Sequence, residues 1–308
     1  MERRQIEYFL AVVDHGGFSR AAVEMHVTQP ALSQGIAQLE RELGVPLFKR
    51  TPRGAVLTPA GKAAVEPARQ ALRGLSAVQS AALAVTGLAG GTLDIASLPT
   101  MAQSPVSELV ARFRRLHPKV TVSIQSPAQT RVSEVAEMVR TGLCELGVTE
   151  GEPDLPEMKG FTTLSLGRQD YVAALPAAAQ LNTEGEASWE EVLACGLIVG
   201  PWWESSRPAA YLDRTLGRRA WRKHVAVRID HRDAYLPLVV SGAGAAILPR
   251  YSAHLAGAAG ARVAELTPAL WRSVVMIRTD DPLSPAAAAM WQLAEHPETQ
   301  SDQAHSGA

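Results

Sequence analysis

A short amphipathic segment near the amino terminus constrains the fold of this chain most strongly. The segment is HVTQPALSQGIAQLERELG, residues 26–44, and its apolar residues recur at helical spacing: Leu32, Ile36, Leu39 and Leu43. Thr28 is a suitable N-cap, and Pro30 then falls in the first turn, where its missing amide hydrogen is not needed. Gly44 is a suitable C-terminal stop. The segment therefore predicts a helix with one face buried against neighbouring helices.

The other face of this helix carries short polar side chains. The free set comprises Thr28, Gln29, Pro30, Ser33 and Gln34. Glutamine and serine side chains both donate and accept hydrogen bonds, which suits the reading of base edges in a DNA major groove. The helix N-terminus also favours a phosphate. The pattern predicts a DNA-recognition helix, although a three-helix bundle with a polar outer face has the same spacing.

Two shorter helices are expected before it. The first has an amphipathic pattern that ends at Gly16 and Gly17, and its apolar positions are Ile6, Phe9, Leu10 and Val13. Ser19 can cap the second, in which Ala21 and Ala22 are small enough for close packing.

A basic hairpin is predicted after the recognition helix. Two short apolar stretches, Pro46–Phe48 and Ala55–Leu57, flank the turn sequence KRTPRG. A basic hairpin tip beside a recognition helix is typical of a wing. Its cations, Lys49, Arg50 and Arg53, would meet phosphates or a minor groove. A solvated basic loop is the alternative.

A long helix over residues 59–85 follows the hairpin. Its apolar stripe comprises Val65, Ala68, Leu72, Leu75 and Ala82. This spacing indicates a linker helix that dimerises, and a solitary surface helix is the alternative. Residues 86–91, TGLAGG, are expected to be a flexible hinge.

Charge and composition limit the class of protein. Residues 1–90 hold 10 Lys and Arg against 7 Asp and Glu, whereas the remainder holds 20 against 24. The basic excess at the front permits a polyanion partner there. The sequence has no apolar run of the roughly 18 residues that a membrane span needs, and its start lacks the pattern of a signal peptide. We therefore expect a cytoplasmic protein without a membrane partner.

The two cysteines, Cys144 and Cys195, are too few for a disulfide framework. No zinc site is evident around them. They lie next to different strands and are expected to be buried, inert thiols rather than a redox pair.

The front of the chain carries a family likeness. The run from Phe18 to Gly61 closely resembles the winged helix-turn-helix of LysR-type transcriptional regulators, in its Ala21-Ala22 pair, its TQPALS start, its LE-ELG end and its LF-R-T-G-LT-AG wing. Many members have arginine where this chain has Gln34, followed by a residue larger than Gly35.

The resemblance implies that Gln29, Pro30, Ser33 and Gln34 face DNA, while Arg50 and Arg53 support the wing. It also implies double-stranded operator DNA as a partner, self-association as a dimer or tetramer, and RNA polymerase as a further candidate partner.

From residue 92 the pattern alternates between strands and helices, which implies parallel sheets. The predicted fold class is α plus α/β: a winged helix-turn-helix domain (1–58), the linker helix, the hinge, and a two-lobed effector domain (92–296) similar to periplasmic solute-binding proteins. Lobe I is expected over about 92–161 plus 267–296, lobe II over about 162–266, and a disordered tail over 297–308. Compared with the family, Glu145 stands where aspartate is usual.

Ligands in two-lobed sheets of this kind bind at the carboxyl ends of strands, against helix N-termini. The loops there suggest effector-binding residues, namely Thr100, Thr130, Arg131, Trp202 and His231. Helix N-termini favour an anionic group such as a carboxylate. Each residue also has a structural interpretation: the threonines as helix caps, Trp202 as lobe packing, Arg131 as a solvated charge and His231 as a surface or capping residue.

A regulator controlled by a small-molecule effector is the leading hypothesis. An enzyme on the α/β portion is the main alternative, but the chain has no P-loop, no G-x-G-x-x-G, no H-E-x-x-H and no G-x-S-x-G, and neither a cofactor nor a metal site is expected. A solute-binding transport protein is the third hypothesis. The winged module and the lack of a signal-peptide pattern disfavour it.

Overall fold

The computed structural model describes residues 1–51, 54–85, 90–127, 130–151 and 156–296 of the 308. Arg53, most of the expected hinge and the expected tail lie outside these residues. The amino-terminal elements are helices α1 (Arg3–Asp14), α2 (Phe18–Glu24) and α3 (Gln29–Leu43), strands β1 (Phe48–Thr51) and β2 (Gly54–Leu57), and helix α4 (Pro59–Val85). The expected recognition helix, the hairpin and the long helix are therefore all present.

Helix α3 is anchored as its apolar spacing predicts, with one exception. Leu32, Ile36 and Leu39 are buried, but Leu43 in the last turn is 44% exposed because the helix extends past the domain core. Thr28 caps the helix and Gly44 ends it in a left-handed conformation. The expected cap of α2 is wrong: that helix begins at Phe18, so Ser19 lies in its first turn.

Gly35 allows α1 to lie close to α3. A Cβ at this position would lie 2.7 Å from Cδ2 of Tyr8, a ring buried between the two helices. Arg4 Nε donates to the Tyr8 hydroxyl at 2.8 Å, which fixes the ring. The absence of a larger residue at Gly35 is thus matched by Tyr8 filling the same space.

The hairpin is fastened to α3 and α4 by polar contacts. Glu40 on α3 accepts hydrogen bonds from the backbone N–H groups of Leu47 (2.7 Å) and Phe48 (3.0 Å). Thr58 donates through Oγ1 to the carbonyl of Pro46 (2.7 Å) and accepts from the N–H of Gly61 (3.0 Å). Helix, hairpin and linker helix therefore share one rigid junction.

The apolar stripe of α4 is divided between two surroundings. Val65, Ala68 and Leu72 pack against the core of the amino-terminal domain. Leu75 lies further along the same helix and is exposed. The side chain of Ala82 lies outside the described part of the structure. The exposed end of the stripe, at Leu75, is therefore available to pack against a second helix.

The second domain has α/β order. Its strands are β3 (Gly91–Ser97), β4 (Val120–Gln125), β5 (Leu146–Glu150), β6 (Thr162–Leu175), β7 (Glu186–Ser188), β8 (Leu197–Val199), β9 (Val225–Arg228), β10 (Ala246–Pro249) and β11 (Arg262–Arg278). Its α-helices are α5 (Pro99–Met101), α6 (Ser107–Leu116), α7 (Val132–Arg140), α8 (Trp189–Ala194), α9 (Arg207–Leu216), α10 (Tyr235–Val240), α11 (Arg250–Ala258) and α12 (Pro285–Glu295). A kinked segment spans Ala102–Val106, in which Ser104 has an extended backbone, and 3-10 turns span Pro156–Met158, Pro201–Ser205, Ala220–His224 and Arg232–Ala234.

The pairing of these strands corrects the expectation of parallel sheets. Strand β3 is parallel to β4 and β5, and β8 is parallel to β9. However, β11 is antiparallel to both β5 and β6, and β6 is antiparallel to β10. The main sheet has the order β10-β6-β11-β5-β3-β4 and is therefore mixed.

Strands β6 and β11 pass through both lobes. The core of lobe I contains Val274–Ile277 of β11, whereas that of lobe II contains Ala264 and Leu266 of the same strand. Between these stretches the pairing of β6 with β11 shifts register, from Glu265 to Leu270. These crossing strands form the floor between the lobes. The domain and lobe bounds named above stay predictions.

Glu145 joins two parts of lobe I. Its carboxylate accepts hydrogen bonds from the backbone N–H and the hydroxyl of Ser284, both at 2.7 Å, and Ser284 caps α12. The longer glutamate thus reaches the last helix. Among the described helices, none is both long and apolar enough to cross a membrane.

Candidate functional site

The first candidate surface is the free face of α3. Thr28, Gln29, Pro30 and Gln34 are exposed there, and Ser33 is half-buried. The structure therefore brings these five predicted DNA-binding residues together on one accessible face. Arg50 lies in β1 opposite Ala55, but its side chain, like the whole of Arg53, is outside the described residues.

The second candidate site is a cleft between the two lobes. It consists of an inner cavity of about 80 Å³ and an outer cavity of about 680 Å³. The residues common to both are Thr130, Trp202, Ser205 and Arg232. Lobe I contributes Leu98 and Thr100 to the inner cavity, at the carboxyl end of β3, and lobe II contributes the 3-10 turn Pro201–Ser205.

Arg272 forms part of the floor of the inner cavity and is only 4% exposed. Its Nη2 donates to Thr100 Oγ1 (3.0 Å) and to Gln169 Oε1 (2.7 Å), and its Nη1 lies 3.8 Å from a Glu150 carboxylate oxygen. These contacts hold the guanidinium in place and offset its charge. Sequence reasoning missed Arg272, for which the available signal was a charge at the head of the apolar run SVVMI.

Arg232 is the second guanidinium in the cleft. It lies over the ring of Trp202, 3.9 Å from the ring centroid. Within the described parts of the chain it has no hydrogen bond or ion pair. Burial lowers the pKa of Arg232 to about 10, and the neighbouring charge of Arg272 acts in the same direction. Among the described residues, the cleft therefore contains a partly desolvated cation without a counter-ion.

Two neutral donors in the inner cavity also lack acceptors among the described residues. The hydroxyl of Tyr235 and the indole N–H of Trp203 are both buried, and neither has an acceptor for its hydrogen there, although the Trp202 side chain lies close enough as a donor to lower the pKa of Tyr235. Burial raises the pKa of Tyr235, so its hydroxyl stays protonated at neutral pH. Three donors in one cavity, counting Arg232, are thus available to an acceptor. None of the three was selected from the sequence as an effector-binding residue, although Trp203 and Arg232 lie in loops that the strand ends suggested.

The predicted effector residues are placed differently from one another. Thr100 lines the inner cavity, Thr130 and Trp202 line both cavities, and Arg131 lines the outer one. His231 lies next to Arg232 but is exposed and lines neither cavity. Cys144 is buried, with its thiol pKa raised to about 12 by burial, as expected of an inert thiol. Cys195 is only half-buried, so the expectation that both thiols are buried is wrong for it, although burial raises its pKa too.

The linker helix contacts lobe I beyond the end of β11. Gln70 on α4 donates through Nε2 to Asp281 at 3.0 Å. A third cavity, of about 820 Å³, lies where α1 and α4 face lobe I. On α4, Arg69 pairs with Asp14 of α1. The amino-terminal domain and the strand that carries Arg272 are therefore connected through α4.

Two family models cover the chain. One describes a bacterial regulatory helix-turn-helix protein of the lysR family and matches residues 3–62, and the other describes a LysR substrate binding domain and matches residues 86–297. The chain belongs to the LysR family. It is a DNA-binding transcriptional regulator with an effector-binding domain, and the predicted fold class is confirmed.

Relatives of known sequence agree with this assignment. The probable transcriptional regulator LrrA of Synechococcus elongatus is 31% identical over 258 residues, covering 82% of each chain. The transcriptional regulator TfdS of Cupriavidus pinatubonensis is 32% identical over 253 residues, covering 81% of this chain and 82% of TfdS.

Solved structures share the fold of this LysR-family chain. The LysR regulator CbnR superposes with a TM-score of 0.61 at 23% identity, covering 96% of this chain and 98% of CbnR. A full-length OxyR variant from Pseudomonas aeruginosa superposes with a TM-score of 0.65 at 20% identity, covering 96% of this chain and 94% of OxyR.

Proposed function

We propose that this LysR-family regulator responds to a small carboxylate that binds in the cleft between its lobes. The observation that carries the proposal is the convergence of three donors without acceptors, Arg232, Tyr235 and Trp203, on the inner cavity. An unpaired buried donor costs roughly 1–3 kcal/mol. A carboxylate has two oxygens with about four acceptor positions between them, so one such group can satisfy all three donors.

The charges of the inner cavity also favour an anion, whereas the outer cavity has carboxylates as well as arginines. Arg272 is already balanced by Glu150, which leaves the charge of Arg232 for a ligand. Thr100 accepts from Arg272, so its own hydroxyl hydrogen is free to point at the ligand. Arg131 and Thr130 extend the same polar wall into the outer cavity.

A ligand in this position would bridge the lobes. Thr100 lies in lobe I, and Arg232 and Tyr235 lie in lobe II. A carboxylate that bonds to both lobes binds their closed arrangement better and so shifts the population towards it. Strand β11 carries Arg272 in the cleft, and Asp281 beyond its end contacts Gln70 of the linker helix, which gives a physical connection to the DNA-binding domain. In a dimer, that connection would change the spacing of the two recognition helices.

The acid-specific response can be tested with simple probes. Acetate, benzoate and succinate are each compared with the matching primary amide, and binding is followed by thermal shift and by the total tryptophan emission, to which Trp202 beneath Arg232 contributes. We expect one or more of the acids to bind at least tenfold more tightly than its amide, because only the acid neutralises Arg232. Amides that bind as tightly as the acids would contradict the proposal.

On the DNA side, we propose that Gln29, Pro30, Ser33 and Gln34 read bases from the exposed face of α3, with Thr28 at the helix start near a phosphate. The wing cations Arg50 and Arg53 would contact the backbone. An operator can be obtained by affinity selection from a random DNA library at two salt concentrations. Recovery of an interrupted palindrome supports a dimeric reader, and complete absence of binding contradicts it.

The variant Gln29→Ala is expected to lower specific DNA affinity by roughly 1–3 kcal/mol, because a glutamine amide that pairs with a base loses two hydrogen bonds. The matched control is Gln38→Ala, whose side chain is exposed on the flank of the same helix and donates to Glu42. Affinity is measured on the selected operator and on an unrelated duplex. Equal losses of operator affinity in the two variants would show that Gln29 does not contact a base.

Further features belong to the proposal. Self-association as a dimer or tetramer is supported by exposed Leu75 and Val78 on α4. Binding to chromosomal DNA requires a cytoplasmic location. Control of transcription also implies RNA polymerase as a partner. A binding function without enzymatic activity is consistent with the regulators among the relatives.

A further inference from the structure

A basic stretch in lobe II has no role in the functions described so far. Residues 214–228 hold six lysines and arginines and no aspartate or glutamate. The remainder of the chain from residue 91 is acidic, with 14 basic against 24 acidic residues once these six are removed from the 20. All six are exposed, and together they are called the basic patch, namely Arg214, Arg218, Arg219, Arg222, Lys223 and Arg228.

The basic patch is held rigidly. Asp213 accepts hydrogen bonds from the backbone N–H of Arg219 (2.7 Å) and from the indole N–H of Trp221 (2.8 Å). Trp221 is fully buried and packs edge-on against Trp203. Arg219 adopts φ +60, a conformation that glycine would adopt at lower cost, yet an arginine occupies it. The loop therefore presents its cations from a fixed backbone.

Most of these cations have no counter-ion among the residues that the structure describes. Glu204 pairs with Arg222 and lies 3.8 Å from Arg219. In the described part of the chain, no ion pair or hydrogen bond involves the side chains of the other four, which are Arg214, Arg218, Lys223 and Arg228. Leu216 lies among them and is 41% exposed. The surface thus combines free positive charge with an apolar contact.

The position of the basic patch disfavours DNA as its partner. The amino-terminal domain and α4 face lobe I, through the large cavity and the contact of Gln70 with Asp281. The basic patch lies in lobe II, beside α9 and around Trp221 of the separate lobe II core. An exposed leucine among the cations suits a polypeptide better than a phosphate backbone.

We infer that the basic patch binds an acidic polypeptide segment that also places an apolar side chain against Leu216. Arginine clusters recognise acidic segments through charge-assisted hydrogen bonds. Because Glu204 lines the outer cavity as well as pairing with Arg222, this partner would bind beside the mouth of the effector cleft.

The full-length protein is tested by fluorescence anisotropy with a labelled synthetic peptide of repeated Glu-Glu-Leu units, at two salt concentrations. We expect the double variant Arg218→Gln/Lys223→Gln to bind this peptide roughly five- to tenfold more weakly than the wild type. The matched control, Arg115→Gln/Arg262→Gln, removes the same charge from exposed positions elsewhere in the domain and is expected to bind as the wild type does.

Three results would overturn the inference. The first is equal peptide binding by the patch variant and the control variant. The second is a loss of non-operator duplex affinity in the patch variant with peptide binding unchanged, which would assign the surface to DNA. The third is a lower oligomeric mass of the patch variant in sedimentation without any change in peptide binding, which would assign the surface to a second copy of the chain.

Discussion

The variant Gly61→Ala is expected to lose operator binding and to unfold its amino-terminal domain at a much lower temperature than the wild type. A Cβ at Gly61 would overlap the backbone carbonyl oxygen of Leu47, and it would lie 2.9 Å from Cδ2 of Leu57. The obstacle is backbone at the junction of the hairpin with α4, so it cannot be relieved by a rotamer change. Overpacking commonly costs about 1–3 kcal/mol, and we expect the upper end or more here.

For a domain of this size, a loss of about 3 kcal/mol corresponds to a fall in Tm of roughly 10–20 °C. Operator binding fails for a related reason, because Glu40 on the recognition helix bonds to the N–H groups of Leu47 and Phe48. Any movement of the hairpin away from α4 therefore displaces the wing relative to α3.

The control for this prediction lies in the same helix. A Cβ at Gly74 would meet no atom within 4 Å, so Gly74→Ala is expected to stabilise α4 by about 0.5–1 kcal/mol. Thermal unfolding followed by circular dichroism and operator affinity are measured for both variants. If Gly61→Ala unfolds at the wild-type temperature, the junction relaxes and the close approach has no energetic importance.

The variant Arg232→Gln is expected to bind the responsive carboxylate on the order of 100-fold more weakly than the wild type. Removal of a cation that pairs with an anion away from water commonly costs about 2–5 kcal/mol of binding free energy. A loss of about 3 kcal/mol corresponds to a Kd on the order of 100-fold higher. The ligand-free variant should be as stable as the wild type, because the change removes a partly desolvated cation that has no counter-ion.

Arg115→Gln provides the matched control, since this exposed arginine lies on α6 and lines neither cavity of the cleft. Carboxylate binding is measured by isothermal titration, with the thermal unfolding of each ligand-free variant as the check on folding. A variant at Arg232 that keeps the wild-type Kd for the acid would exclude this guanidinium as the anion partner.

Local patterns predicted the DNA-binding domain well. The burial of Leu32, Ile36 and Leu39, the cap at Thr28 and the pairing of strands 48–51 and 54–57 depend on neighbours within a few turns of chain. Helical spacing, capping and turn chemistry act over such distances, so the sequence contains them directly. The exposed end of α3 at Leu43 was not predictable, because burial there depends on where the domain core stops.

The effector cleft was predicted only in part. Loop positions at strand ends suggested Thr100, Thr130, Arg131 and Trp202, all of which line the cleft. The same reasoning selected His231, although the neighbouring Arg232 is the side chain that enters it. On a short 3-10 turn, adjacent residues point in different directions, and no local pattern distinguishes them.

By itself, the sequence determined the winged helix-turn-helix, the order of strands and helices, and the family. Only the tertiary structure decided how the long strands β6 and β11 pair, and therefore which arginines meet in the cleft. In each strand, one half is a run of apolar residues, and this half was recognised as a strand from the sequence. The half that crosses between the lobes mixes polar with apolar residues, so its sequence resembles that of a loop. Arg232 and Arg272 are 40 residues apart in the chain. They are neighbours because antiparallel pairing across the lobes returns β11 to the floor of the cleft, and strand pairing depends on distant partners rather than on adjacent residues.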